Sequence, residues 1–269
     1  MRAILPALAA LVSASLSRPT IKETNLSAPA MFRIPAGATL LHVTHWKAAS
    51  QWIRALLNDA FGSAVLEPEK YRAQLWREPL RADAVYPCVC LDYFEFAALE
   101  LPEDSRRFVV IRDLRDTLIS AYFSLKFSHP LSGPDLSKNR LILSSLNEEE
   151  GLIYLMERWL PAAAAVQRTW LRRGEDCFKL EDLAADPVPA LEKIFRDHFR
   201  ISATTEQLQT LADRHSFSSL SGGRRPGVED VHSHYRKGVA GDWREHFTPK
   251  ISDRFQRLYA DTLELGGYA

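Results

Sequence analysis

Near the end of the chain, Arg236-Lys237-Gly238 is followed by Val239-Ala240 and then by Gly241-Asp242-Trp243, which places two cations beside two glycines. Glycine lets backbone N–H groups turn toward a ligand and lets the chain approach it closely. The Arg236 guanidinium is a planar fork matched to phosphate oxygens. A loop of this composition is suited to gripping a phosphate. Lys47, in Thr44-His45-Trp46-Lys47-Ala48-Ala49-Ser50-Gln51-Trp52, and Arg112, in Ile111-Arg112-Asp113-Leu114, could extend the same chemistry.

The elements around these cations bear this out. Thr39-Leu40-Leu41-His42-Val43 reads as a buried strand leading into the Lys47 segment. After it, Trp52, Ile53, Leu56, Leu57 and Phe61 recur at helical spacing. A strand, a tight loop and a helix in that order make a phosphate-binding device, because free N–H groups and the positive dipole end meet at the helix start. Phe108 to Ile111 reads as a second buried strand. Leu114, Leu118, Tyr122 and Leu125 then share a helical face, with Asp113 as N-cap. Arg112 therefore sits at the carboxyl end of a strand, where open α/β sheets bind ligands.

The string RKGVAGDWREHFT at 236–248 resembles the C-terminal signature of PAPS-dependent sulfotransferases. The 44–52 segment looks like that family's 5′-phosphosulfate loop, usually written TYPKSGTTW. Thr44, Lys47 and Trp52 match it, Ser50 and Gln51 stand at its two threonines, and Ala49 replaces its glycine. Arg112 and Ser120 carry the spacing of its 3′-phosphate motif, an Arg with a Ser eight residues later. The resemblance implies that Lys47, Ala48, Ala49, Ser50, Gln51 and Trp52 bind the donor PAPS at its phosphosulfate and adenine. It further implies that Arg112, Ser120, Arg236, Lys237 and Gly238 hold the 3′-phosphate. Phe217, in a Ser-Phe pair, is placed by the same resemblance near the adenine. Lys47 would also stabilise charge building on the leaving oxygen. No metal is implied.

On the acceptor side the sequence departs from that pattern. Most soluble members carry a catalytic His in a Lys-Thr-His motif after a strand. Here the matching region is Pro87 to Glu95, and no His occurs between His45 and His129. Asp92 is the first candidate for the base and Glu95 the second, with Tyr93 aligned as closely to the His position. Asp92 also fits a strand-terminal cap with no catalytic role. The acceptor is expected to be a small-molecule hydroxyl: an alcohol, a phenol, or a carbohydrate or lipid hydroxyl.

Strand and helix patterns alternate along the rest of the chain: a strand at Cys88 to Leu91, a helix at Gly151 to Arg173, a strand at Cys177 to Leu180 and a helix opening at Pro187. The fold class is therefore α/β, a single P-loop-like three-layer domain whose central parallel sheet carries helices on both faces. Residues 127–150 and 218–242 read as long loops. The domain is expected over 31–269, after an N-terminal extension at 1–30 that is a docked helix or a short signal-like segment. PAPS is a cytosolic nucleotide, which favours a cytoplasmic location.

Composition narrows the partners. The 269 residues carry a formal net charge of zero, so no global charge draws the chain to nucleic acid or to an anionic membrane. Its 3 cysteines are too few for a disulfide framework and lack the spacing of a zinc site. Oligomeric state stays open, because the family's dimer motif survives only as Arg244, Thr248, Pro249 and Asp253. Two other readings were weighed. One is a P-loop kinase, whose motif needs glycines and a Ser/Thr directly after the Lys, whereas Lys47 precedes two alanines. The other is a PAP- or PAPS-binding protein of the same fold with impaired catalysis.

Overall fold

A computed structural model of the chain describes residues 30–66, 79–130 and 134–269. Its centre is a sheet of four parallel strands in the order β2-β1-β3-β4. They are β1 (Ala38–Thr44), β2 (Ala84–Val89), β3 (Asp104–Ile111) and β4 (Cys177–Lys179). In the β1–β3 register, Ala38 pairs with Asp104 and Thr44 with Val110. The two strands therefore end side by side, and the loop after β1 and the Arg112 turn after β3 emerge at one edge.

Alternation along the strands sorts the apolar side chains onto two faces. Leu40, Phe108 and Val110 pack against Ile53, Leu56 and Leu57 of α1 (Ser50–Phe61) and against Phe195 and Phe199. Leu41, Val43, Val109 and Ile111 face the other way, onto Val166 and Trp170. A third cluster lies between helices. It joins Leu114 and Leu118 of α3 (Leu114–Phe123) to Leu155, Phe255 and Tyr259. The short α2 spans Tyr93–Ala97 between β2 and β3. The three-layer α/β arrangement expected from the alternating pattern is the one observed.

Two expectations need correction. The helix read over 151–173 is two helices, Glu148–Arg158 and Leu160–Arg172, meeting at Trp159. Pro161 lies in the first turn of the second helix, and its ring and missing N–H prevent one continuous hydrogen-bonded run. The segment read as a loop over 127–150 contains a helix, Pro134–Ser145. That helix is polar because it buries little: Leu143 is in the core, while Leu141 is 73% exposed. Phe96 is also buried in the core. The long segment 218–242 is irregular, as expected, apart from the short turn of helix Phe217–Leu220. The three cysteines are free thiols. The expectation for residues 1–29 lies outside the described residues. Among the described residues no helix is long and apolar enough to cross a membrane.

Candidate active site

Strand β1 delivers the chain into a tight loop whose shape is set by two left-handed residues, Lys47 at φ 71° and Ala49 at φ 61°. Ala49 is also the N-cap of α1. This conformation is costly for a residue with a Cβ, and it is adopted here at the position where the sulfotransferase pattern has glycine. The loop is secured from several sides. The Thr44 hydroxyl reaches the Ala48 carbonyl at 3.2 Å and the Val110 carbonyl at 3.1 Å. Arg112 Nη1 donates to the Lys47 carbonyl at 2.8 Å. Gln167, buried on the helix Leu160–Arg172, ties both strand ends together: its Oε1 lies 2.9 Å from His45 Nε2 and accepts from the Arg112 N–H at 3.3 Å.

The result is a convergence of positive charge. Burial lowers the Lys47 pKa to about 8, with the nearby charges of Arg112 and Arg236 adding to the effect. Among the described residues no acid pairs with Lys47. A half-buried ammonium that feels the charge of two guanidiniums calls for an anion. Lys47, Arg112 and Arg236, far apart in sequence, are thus brought to one place. Ala48 and Ser50 complete the turn into α1, and the Gln51 side chain accepts from Arg54. Trp52 packs on the edge of the core with its Nε1 buried and unbonded. Ser120 lies half-buried on α3.

The 236–248 loop is held in place by an acid the motif comparison did not single out. Asp116 on α3 is 1% exposed, and its carboxylate accepts from the Gly241 N–H at 2.6 Å and the Trp243 N–H at 3.0 Å. Its partners lie 125 and 127 residues away, so no local pattern could reveal them. Gly238 has φ 67°, and a Cβ there would fall 2.4 Å from the Phe217 ring. The Ser-Phe pair and the Arg-Lys-Gly turn therefore touch, and only glycine fits between them. Arg224 stacks on the Phe217 ring at 5.5 Å.

Arg236 and Lys237 are partnered as well. Arg236 pairs with Glu229 and Asp242, and its guanidinium lies 4.2 Å over the Phe123 ring. Lys237 pairs with Asp242 and Glu245 at 2.5 Å. Lys237 thereby holds the acids beneath the turn. Burial works to raise the Asp242 carboxyl, but the hydrogen bonds from His246, Lys237 and Arg236 outweigh it and hold it well below the usual carboxylate range. Asp242, Glu245 and His246 lie close enough to share a metal ion. Their carboxylates are already neutralised by Arg236 and Lys237, so the donor set suits ion pairing better than a cation.

Asp92 and Glu95 are engaged in local structure. Asp92 is the N-cap of α2 and accepts from the Glu95 N–H at 2.8 Å, while Glu95 accepts from the Asp92 N–H at 3.1 Å. This reciprocal capping box satisfies two otherwise orphaned donors. Tyr93 stacks edge-on against Trp170 at 5.4 Å. One titratable group that the sequence gave no reason to select lies in the loop before Arg236. His234, exposed in the loop before Arg236, feels the charges of Lys47, His129 and Arg54.

Comparison with known proteins agrees with this geometry. The family model described as a sulfotransferase domain matches residues 103–267. The chain belongs to the sulfotransferase domain family. The flavonol 3-sulfotransferase of Flaveria bidentis is 30% identical over 105 residues. That match spans 33% of this chain and 33% of the plant protein, about a third of its length. Among solved structures, mouse sulfotransferase SULT7A1 complexed with PAP superposes with a TM-score of 0.59 at 17% identity, covering 88% of this chain and 91% of that one. Retinol dehydratase, in complex with androsterone and inactive cofactor PAP, gives a TM-score of 0.54 at 15% identity over 84% and 80% of the two chains. At these identities the structural likeness speaks to the fold of this sulfotransferase-family domain.

Proposed function

We propose that the protein transfers a sulfuryl group from PAPS to a hydroxyl of a small-molecule acceptor. The observation that carries this reading is the convergence of Lys47, Arg112 and Arg236 on one point between the ends of β1 and β3. PAPS brings anionic groups at two places, its 5′-phosphosulfate and its 3′-phosphate. Lys47 would meet the first, and Arg112 with Arg236 the second. Trp52 and Phe217 would offer aromatic faces to the adenine. The solved structures of similar fold contain PAP, which supports a donor of this class here.

The reaction follows from those charges. The acceptor oxygen attacks sulfur, and the bond between sulfur and the bridging phosphate oxygen breaks. Negative charge builds on that leaving oxygen, where the Lys47 ammonium stabilises it more in the transition state than in the ground state. PAP departs, and the acceptor proton must pass to a base. Incubation with PAPS labelled in its sulfate, against a panel of alcohols, phenols and sugars, tests the proposal. Label should appear on at least one hydroxyl acceptor. Binding of PAP without any transfer would favour a nucleotide-binding protein of the same fold.

A further inference from the structure

We infer that Phe123 is a positioning residue for Arg236, an assignment that rests on the donor reading above: its ring holds the guanidinium in the orientation that meets a 3′-phosphate. Phe123 thereby helps the site tell a nucleotide that carries this phosphate from one that lacks it. It belongs to none of the motifs, and only the folded chain brings it to Arg236.

Helix α3 presents the ring. Asp116, Ser120 and Phe123 follow one another at steps of four and three residues, so they share one helical face. Both ends of that face touch the 236–248 loop. At one end Asp116 accepts from the Gly241 and Trp243 N–H groups. At the other, the Arg236 guanidinium lies 4.2 Å over the Phe123 ring. Ser120, the candidate for the 3′-phosphate on this helix, stands between the two contacts. Beyond Phe123 the helix widens into a π-helical turn, Ser124–Ser128. Such turns are rare and gather at functional sites. The ring is itself immobilised. Tyr122 and His246 each meet it edge-on at 5.3 Å, and Phe127 stacks on it at 6.0 Å. His246 is fixed in turn by Glu148, whose Oε1 lies 2.6 Å from its Nδ1.

Each contact of Arg236 restrains something different. Glu229 engages one terminal nitrogen of the guanidinium and Asp242 the other. Two contacts at those nitrogens leave the plane free to rock about the line joining them. The ring face removes that freedom, because the guanidinium is attracted to the ring quadrupole. Arg236 is 13% exposed, so the attraction acts largely out of water, where it is stronger. Asp242 is buried and also engaged by Lys237, so it stays in place. Glu229 is more exposed and can yield to an incoming phosphate. A phosphate that displaces it finds a fork whose plane is already set. Without the ring, the ligand must impose that order itself, and affinity falls by what the ordering costs.

Calorimetry with PAP and with adenosine 5′-phosphate, which lacks the 3′-phosphate, tests this on the wild-type chain and on Phe123→Leu. The variant keeps an apolar side chain and loses the ring. PAP affinity should fall by about two- to tenfold, the cost of ordering one long side chain. Adenosine 5′-phosphate should bind as before. Phe123→Tyr keeps the ring face and should bind PAP as the wild type does. In the Arg236→Ala background, Phe123→Leu should cause no further loss, since the residue it positions is gone. Phe123→Met repeats the comparison with an unbranched side chain that fills irregular gaps, should leucine disturb the helix. Wild-type PAP affinity in a folded variant without the ring overturns the assignment. So does a loss shared equally by the two nucleotides, or one that persists in full without Arg236, because either shows a role in packing alone. If the wild-type chain itself does not bind PAP, the donor reading fails and this assignment falls with it.

Discussion

Arg236 is clasped by Glu229 seven residues before it, so the guanidinium proposed to read the 3′-phosphate is engaged before any donor arrives. Glu229 is 40% exposed on its side of the pair. An exposed pair of this kind is worth about 0.2–1 kcal/mol. Glu229→Gln should therefore raise PAP affinity modestly, up to about fivefold, in a calorimetric titration. A fall in affinity would show that Glu229 instead orders the loop for binding.

Removal of the guanidinium itself has a larger consequence. A charge-assisted hydrogen bond contributes about 1.5–3 kcal/mol, so Arg236→Ala should weaken donor binding by about tenfold to a hundredfold. Adenosine 5′-phosphosulfate lacks the 3′-phosphate and should lose much less. Equal losses for the two donors would show that Arg236 does not read that phosphate.

The Lys47 loop predicts a gain in stability. Ala49 is held at φ 61° and ψ 19°, a left-handed conformation that costs a residue with a Cβ about 1–2 kcal/mol. Glycine adopts it freely but gives up about 0.5–1 kcal/mol through its unfolded-state entropy. Ala49→Gly should leave a net gain of about 0.5–1 kcal/mol, seen as a melting temperature higher by about 2 °C. An unchanged or lower melting temperature in scanning calorimetry would mean that the Ala49 methyl makes compensating contacts.

Lys47 also makes donor binding depend on pH. Its folded pKa, about 8, lies below its ordinary value of 10.5. The unfolded chain then holds more protons between those values, so this group's contribution to stability rises as pH rises through that window. An anionic donor has the opposite preference and favours charged Lys47. At a pH just above 8, PAP binding should take up a fraction of a proton. Binding enthalpies measured in buffers of different ionisation heat report that uptake directly. Lys47→Met should abolish it, and an uptake that survives the substitution belongs to another group.

Binding should not depend on a divalent metal. The acids of Asp242 and Glu245 are occupied by Arg236 and Lys237, and the groups proposed to meet the donor, Lys47 and Arg112, are cationic. PAP titrations with and without a chelator should superimpose. Heat that appears only after magnesium is added would contradict this.

Much of the fold was legible because its signals are local. The apolar runs ending at Val43 and Ile111 marked the two strands that carry the site, and Asp113 marked the helix after the second. The motif cations Lys47, Arg112 and Arg236 also stand out locally, in short segments whose residue types suit a phosphate grip. The helix Pro134–Ser145 escaped notice for a related reason. It leaves most of its surface to solvent, so it writes little hydrophobic periodicity into the sequence.

What the tertiary structure decided were relationships between segments far apart in the chain. The parallel β1–β3 register sets the Lys47 loop beside Arg112, and Gln167 locks them from 122 and 55 residues away. Asp116 fixes the Arg236 loop across 125 residues. That Asp92 caps α2 through its Oδ1 and the Glu95 N–H is likewise visible only in the folded chain. Side-chain type and spacing record what a segment can do. Hydrogen bonds and Coulomb forces act over a few ångströms, so which segments act together is settled only when packing brings them within that range.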